Sequence, residues 1–120
     1  MNRQEAIDYI KNEFNVPDEH LWMQFPEYAV FRNQKNNKWF ALITDTDKCK
    51  LGLKGEGKIS ILNLKCDPIL LASLLSNRGY LPAYHMSKKT WITVLLNGEA
   101  PEEQIKDLIH LSYDLIDKKK

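Results

Sequence analysis

The chain has 120 residues, 43% hydrophobic and 28% charged, with a formal net charge of +1. This suits a single domain over residues 1 to 120 with one modest core, and argues against wholesale disorder. Its two cysteines, Cys49 and Cys66, lie outside any zinc-ligand spacing, and no apolar run approaches the ~20 residues of a bilayer span.

Asn2 and Glu5 stand at capping-box spacing, and Ala6, Ile7, Ile10 and Phe14 follow at helical intervals. A first helix is expected from about Arg3 to Phe14, ended by Pro17. The N-terminus carries no signal-peptide core, so the expectation is a cytoplasmic protein with reduced thiols. Residues 18 to 26 read as a connection with Trp22 and Phe25 buried. Glu27 to Arg32 and Lys38 to Thr44 read as a hairpin around a polar turn. Asp45-Thr46-Asp47 has turn chemistry, and Lys48 to Leu53 could form a short strand.

Gly52 to Lys58 meets the G-x-x-x-x-G-K spacing of a phosphate loop. Ile59 stands where Ser or Thr should hold magnesium, Glu56 would sit in the anion cradle, and an alternating strand follows instead of a helix. The segment therefore reads as a turn before a third strand, Lys58 to Lys65. Asp67-Pro68 starts a second helix, with Ile69, Leu70, Leu71, Leu74 and Leu75 as its apolar face and Gly79 as its left-handed cap. At that start the helix dipole could activate Cys66, although a small apolar residue is the plainer reading. Trp91 to Leu96 is apolar on both parities apart from Thr93, as in a central strand. Pro101 opens a last helix to about Asp117, with Ile105, Leu108, Ile109, Leu115 and Ile116 in one stripe. The tail Lys118-Lys119-Lys120 complements its dipole. The order implies an α+β domain, an antiparallel sheet with helices packed on one face.

Charge is unevenly spread. Between Lys48 and Lys89, eight basic residues oppose only Glu56 and Asp67, giving +6, while the rest carries −5. Such a basic middle can form one face on a nearly neutral protein, or simply solvate strands and loops. His20 and His110 have no partner at metal-ligand spacing, and His110 reads as a helix-face residue. His85 differs, because Tyr84 precedes it and Lys88 and Lys89 follow. It reads first as a structural histidine bracing the turn against Trp91, and second as an acid–base group. Trp39, Tyr80, Tyr84 and Trp91 are candidate stacking surfaces, with Trp39 and Trp91 assigned to the core and Tyr84 to contact.

The segment Pro82-Ala83-Tyr84-His85-Met86-Ser87-Lys88-Lys89-Thr90-Trp91-Ile92-Thr93-Val94 resembles the hallmark of the MmcQ/YjbR family of small bacterial proteins. Phe40-Ala41, Leu64-Lys65-Cys66-Asp67-Pro68 and Ser112-Tyr113 match it in order. The resemblance implies a CyaY-like fold and a DNA-binding role, with no catalytic residues and no cofactor. The frataxin-like fold also raises iron binding on an acidic ridge. Here Glu5, Asp8 and Glu13 are interleaved with Arg3 and Lys11, which reads as an ordinary solvated face.

The leading expectation is a non-enzymatic, weakly specific DNA-binding protein. Lys88 and Lys89 would contact phosphates, Lys48, Lys50, Lys54 and Lys58 would assist, and Tyr84 and His85 would shape the contact. It requires those lysines to share a face. The alternative is a protein- or small-ligand-binding module with a pocket near Tyr84, His85 and Trp91. An enzyme using His85 ranks third.

Overall fold

A computed structural model describes residues 1–118. Lys119 and Lys120, and with them the expected lysine tail, lie outside the described residues. Helix α1 (Arg3–Phe14) is closed by the expected capping box. The Asn2 side chain accepts the Glu5 N–H at 2.9 Å, and the Glu5 carboxylate accepts the Asn2 N–H at 2.9 Å. Strands β1 (Ala29–Arg32), β2 (Trp39–Asp47) and β3 (Lys58–Lys65) follow, then helix α2 (Pro68–Leu74), strands β4 (Tyr80–Pro82) and β5 (Trp91–Leu95), and helix α3 (Glu102–Lys118). All pairings are antiparallel in the order β1-β2-β3-β5-β4. As expected from its apolar run, β5 is an interior strand.

The three helices share one sheet face. Ile10 of α1, Leu74 of α2, and Ile105 and Ile109 of α3 pack in one cluster with Phe31, Ile43, Leu62 and Val94. Full burial of each such side chain contributes about 1.5–3 kcal/mol, so this layer dominates stability.

Several boundaries differ from expectation for physical reasons. Asp45-Thr46-Asp47 continues β2 instead of turning, paired with Ser60, Ile59 and Lys58. The Asp45 carboxylate is satisfied there by Ser60 Oγ and by Arg3. Lys48–Leu51 forms a 3-10 turn closed by left-handed Gly52, not a strand. Asp67 makes no side-chain cap bond, and α2 ends at Leu74, ahead of Gly79. Gly79 instead turns the chain into β4 with φ +95°, where an added Cβ would lie 2.7 Å from the backbone N of Ala100. Strand β4, only three residues ending in proline, carries no strand pattern of its own in the sequence.

One irregularity places the functional face. In the β1–β2 register Phe31 opposes Ala41 and Arg32 opposes Trp39, so Phe40 is an extra residue, a β-bulge. Phe40 joins Ala41 on the helix side, packed against Phe14 and Tyr113 with ring centroids 5.2 and 5.0 Å away. Trp39, which strict alternation would put on the side of Ala41 and Ile43, turns to the opposite face.

The sheet edges are short. β4 has three residues and ends in Pro82. On the outer side of β1, Glu19 and Val30 exchange two backbone hydrogen bonds of 2.9 Å.

Candidate functional site

The sheet face away from the helices carries Trp39, Leu42, Thr44 and Thr46 on β2, Ile61 and Asn63 on β3, and Thr93 on β5. Register pairs Leu42 with Asn63, and Asn63 with Thr93. Two loops fold over this face, residues 18–28 before β1 and residues 83–90 before β5.

The second loop is fastened to the sheet by a buried polar relay. The Tyr84 N–H donates to Thr93 Oγ1 at 3.0 Å, Thr93 donates to Asn63 Oδ1, and Asn63 Nδ2 donates to the Tyr84 carbonyl at 3.4 Å. This uses the one polar residue of β5, Thr93, which the apolar pattern alone leaves unexplained. His85 then adopts φ 62°, a left-handed conformation uncommon for a non-glycine, with its ring 4.0 Å from that of Tyr84.

The first loop is held by His20, whose Nδ1 lies 3.0 Å from the Pro26 carbonyl and whose Nε2 lies 3.0 Å from Asp18. Asp18 also pairs with Lys11 at 3.0 Å. Burial opposes ionisation of Asp18, but the bonds from His20 and Lys11 prevail and lower its pKa. The His20 pKa is raised, chiefly by the bond to Asp18. Both ring nitrogens face oxygen acceptors, so only the imidazolium donates to both.

Between the loops lies a cleft of about 230 Å³. Trp22 and Tyr28 of the first loop, Trp39 of β2, and Tyr84, His85 and Met86 of the second loop form its walls, over a floor of Leu42, Thr44 and Asn63. Trp22 meets Tyr28 and Trp39 edge to face at 5.5 and 5.8 Å. An adjoining hollow of about 340 Å³ shares Trp22, Tyr28, Tyr84 and His85 and adds Phe25, Glu27, Asp45, Asp47, Lys50 and Lys58. Together they make a groove with an aromatic end and a charged end. Burial raises the Tyr28 pKa, and neighbouring Tyr84 and Glu27 add to the shift.

The eight candidate contact residues divide. Lys50, Lys58, Tyr84 and His85 meet in the charged hollow. Lys48, Lys54 and Lys58 line a separate hollow with Asn97 and Glu99. Lys88 bends back to the Ala83 carbonyl at 3.0 Å, and Lys89 is exposed outside these hollows. Of the expected pocket residues, Tyr84 and His85 line the cleft, while Trp91 is buried at 8% exposure and does not. Trp39, assigned to the core, is a half-buried cleft wall instead. Phe25 is 43% exposed and Trp22 only half-buried, because both sit on the loop over the groove and not beneath it. Tyr80 is buried and donates to Gln104, so it offers no stacking surface. His110 bonds Tyr9 at 2.9 Å and Glu13 at 3.2 Å, tying α3 to α1 as a helix-face residue. Burial, with Asp67 beside it, pushes the Cys66 thiol up to about 11, the opposite of activation. Among the described residues no group of three or more His, Cys, Asp or Glu side chains is placed to hold a metal ion.

The His20 clasp predicts a pH dependence. A raised folded pKa means its stabilisation is full below the unfolded value of about 6.5 and is lost as pH rises through the folded value. Amide exchange in residues 20–28, corrected for intrinsic rates, should be slower relative to the core at pH 5.5 than at pH 8.5. In His20→Ala that difference should vanish. Its persistence in the variant would show that another group fastens the loop.

With this geometry, comparison with known proteins is informative. A model of the YjbR family matches residues 15–115. The chain is 37% identical over 115 residues to the uncharacterized protein YyaQ of Bacillus subtilis (strain 168), covering 96% of this chain and 98% of that one. It is 36% identical over 101 residues to the uncharacterized protein YbdF of Escherichia coli O157:H7, covering 82% and 71%. A crystal structure of a protein from Pseudomonas syringae matches with a TM-score of 0.93 at 44% identity, covering 96% of this chain and 98% of the other.

Proposed function

The chain belongs to the YjbR family, and from that premise and the groove we propose that it is a non-enzymatic binding module for a small molecule bearing a planar, largely apolar ring. One observation carries this reading. Four aromatic side chains from three separate segments, Trp22 and Tyr28, Trp39, and Tyr84, converge on a single cleft with polar groups at its floor. A ring inserted there would exchange water for aromatic faces and edges, worth about 0.5–1.5 kcal/mol per ring pair beyond area burial. Thr44 and Asn63 would orient it. We also place the protein in the cytoplasm, a reading supported by two free thiols, one of them exposed.

The test is an amide chemical-shift titration with indole. Shifts should concentrate in residues 22–28, 39–46 and 84–86, and Trp39→Ala should weaken binding at least about tenfold with the sheet intact, the loss of one well-packed ring contact and its buried area. Shifts scattered over the helices would sink the proposal.

A second reading, weak contact with DNA, is favoured by Lys48, Lys54 and Lys58 lining one hollow. Fluorescence anisotropy of labelled duplex and single-stranded DNA at two salt concentrations separates it from the first. Under this reading binding falls with salt, and Lys54→Ala/Lys58→Ala flattens the dependence by about two in log–log slope. If Lys88 and Lys89 also touch phosphate, Lys88→Ala/Lys89→Ala does the same. Absence of binding at low salt removes DNA as a ligand.

A further inference from the structure

The charged end of the groove narrows the ligand class, an inference that rests on reading the aromatic cleft as a binding site. We infer that the ligand is a zwitterion, a planar ring on a short linker to an ammonium and a carboxylate, the chemistry of a free aromatic amino acid.

The hollow beyond the rings is lined by Lys50 and Lys58 against Glu27, Asp45 and Asp47. Two of these carboxylates are already engaged. Asp45 accepts from Ser60 and pairs with Arg3 at 3.5 Å, and Asp47 holds Lys50 at 3.8 Å. Among the described residues the Glu27 carboxylate and the Lys58 ammonium form no ion pair, and both residues line the hollow. One group of each sign is therefore left to be matched by a ligand. A nucleotide would bring its phosphate against the unpaired Glu27 carboxylate as well as toward Lys58, which like-charge repulsion opposes. A simple amine would satisfy Glu27 alone, and a simple acid Lys58 alone. An α-ammonium and an α-carboxylate satisfy both from adjacent atoms.

The aromatic end adds a preference within that class. Thr44 and Asn63 are 5% and 1% exposed, yet both line the cleft. Thr44 shares one hydrogen bond with Thr46, at 3.0 Å between hydroxyl oxygens. Asn63 Nδ2 has two hydrogens and makes one long bond, to the Tyr84 carbonyl at 3.4 Å. An indole N–H can donate to the Thr44 hydroxyl oxygen, and a phenol oxygen can accept from Asn63 Nδ2. A bare phenyl ring leaves it unused. Tryptophan and tyrosine thus fit better than phenylalanine.

Isothermal titration with a matched series tests this: L-tryptophan, tryptamine, which lacks the carboxylate, indole-3-propionate, which lacks the ammonium, and adenosine 5′-monophosphate. L-Tryptophan should bind at least about tenfold more tightly than either truncated compound, the effect of one charge-assisted hydrogen bond. Glu27→Gln should bring L-tryptophan down to the level of indole-3-propionate, and Lys58→Gln to that of tryptamine. Both side chains lie at the rim, so neither change disturbs the core. Equal binding of indole-3-propionate or the nucleotide, or no response to Glu27→Gln, would overturn the zwitterion while leaving the ring site standing. Failure of every compound, with indole also leaving the cleft amides unmoved, would overturn both.

Discussion

Replacing Phe40 by alanine should lower the unfolding free energy by about 3–5 kcal/mol, a large fraction of the roughly 5–15 kcal/mol that a domain typically has. The side chain is 0% exposed and wedged between Phe14 of α1 and Tyr113 of α3. Its carbonyl accepts the Ser112 hydroxyl at 2.6 Å, so the backbone is pinned and cannot collapse into the void. Such sites fall at the costly end of large-to-small substitutions, because loss of transfer free energy is joined by a residual cavity. Urea denaturation would read the change as a fall in midpoint with the slope preserved. Phe25→Ala, on the exposed loop, serves as the reference and should cost less than about 1 kcal/mol. A similar small loss at Phe40 would mean that the bulge does not deliver this ring to the core.

Gly79→Ala should be the most damaging of the glycine substitutions, at least about 3 kcal/mol, from strain and overpacking together. Gly79 and Gly57 have almost the same φ, +95° and +92°. At Gly57 a Cβ meets open space, so alanine there incurs only the left-handed penalty of about 1–2 kcal/mol. At Gly79 the Cβ lies 2.7 Å from Ala100 N and 2.9 Å from Ala100 Cβ. Backbone atoms cannot swing aside as a side-chain tip does. The Gly79 carbonyl also accepts the Leu95 N–H at 2.8 Å, so a shift there would loosen β4 from β5. Comparing thermal midpoints of the two variants isolates the contact from the dihedral cost, and equal midpoints would show that Ala100 yields.

What the sequence showed best was local. The Asn2–Glu5 box, the Asp67-Pro68 start and the stripe of the last helix each depend on residues within one or two turns, and each appears in the structure at about the expected place. The misses involve partners distant in sequence. Asp45-Thr46-Asp47 looks like a turn until Arg3 and Ser60 satisfy Asp45 from elsewhere. Strand β4 is three residues with a proline, extended only because β5 lies beside it. The candidate site was half legible. Tyr84 and His85 stand out as an adjacent aromatic and imidazole pair followed by two lysines in a loop. Trp22, Tyr28 and Trp39 did not, because alternation assigns Trp39 to the core and nothing local marks Phe40 as an extra residue. The clue available was density, with Trp22, Phe25 and Tyr28 crowded into a loop too short to bury them all.

The two ends of the sheet bear on how copies of the chain behave at high concentration. An open strand edge is a template on which another molecule can add a strand. At one end that template is three residues long and closes on Pro82, which has no N–H to offer. At the other, the outward N–H and C=O of Val30 are already spent on Glu19. Neither of these two end strands therefore offers a long backbone template, and the exposed tip at Met23, which is 98% accessible, is a side-chain surface through which copies can meet.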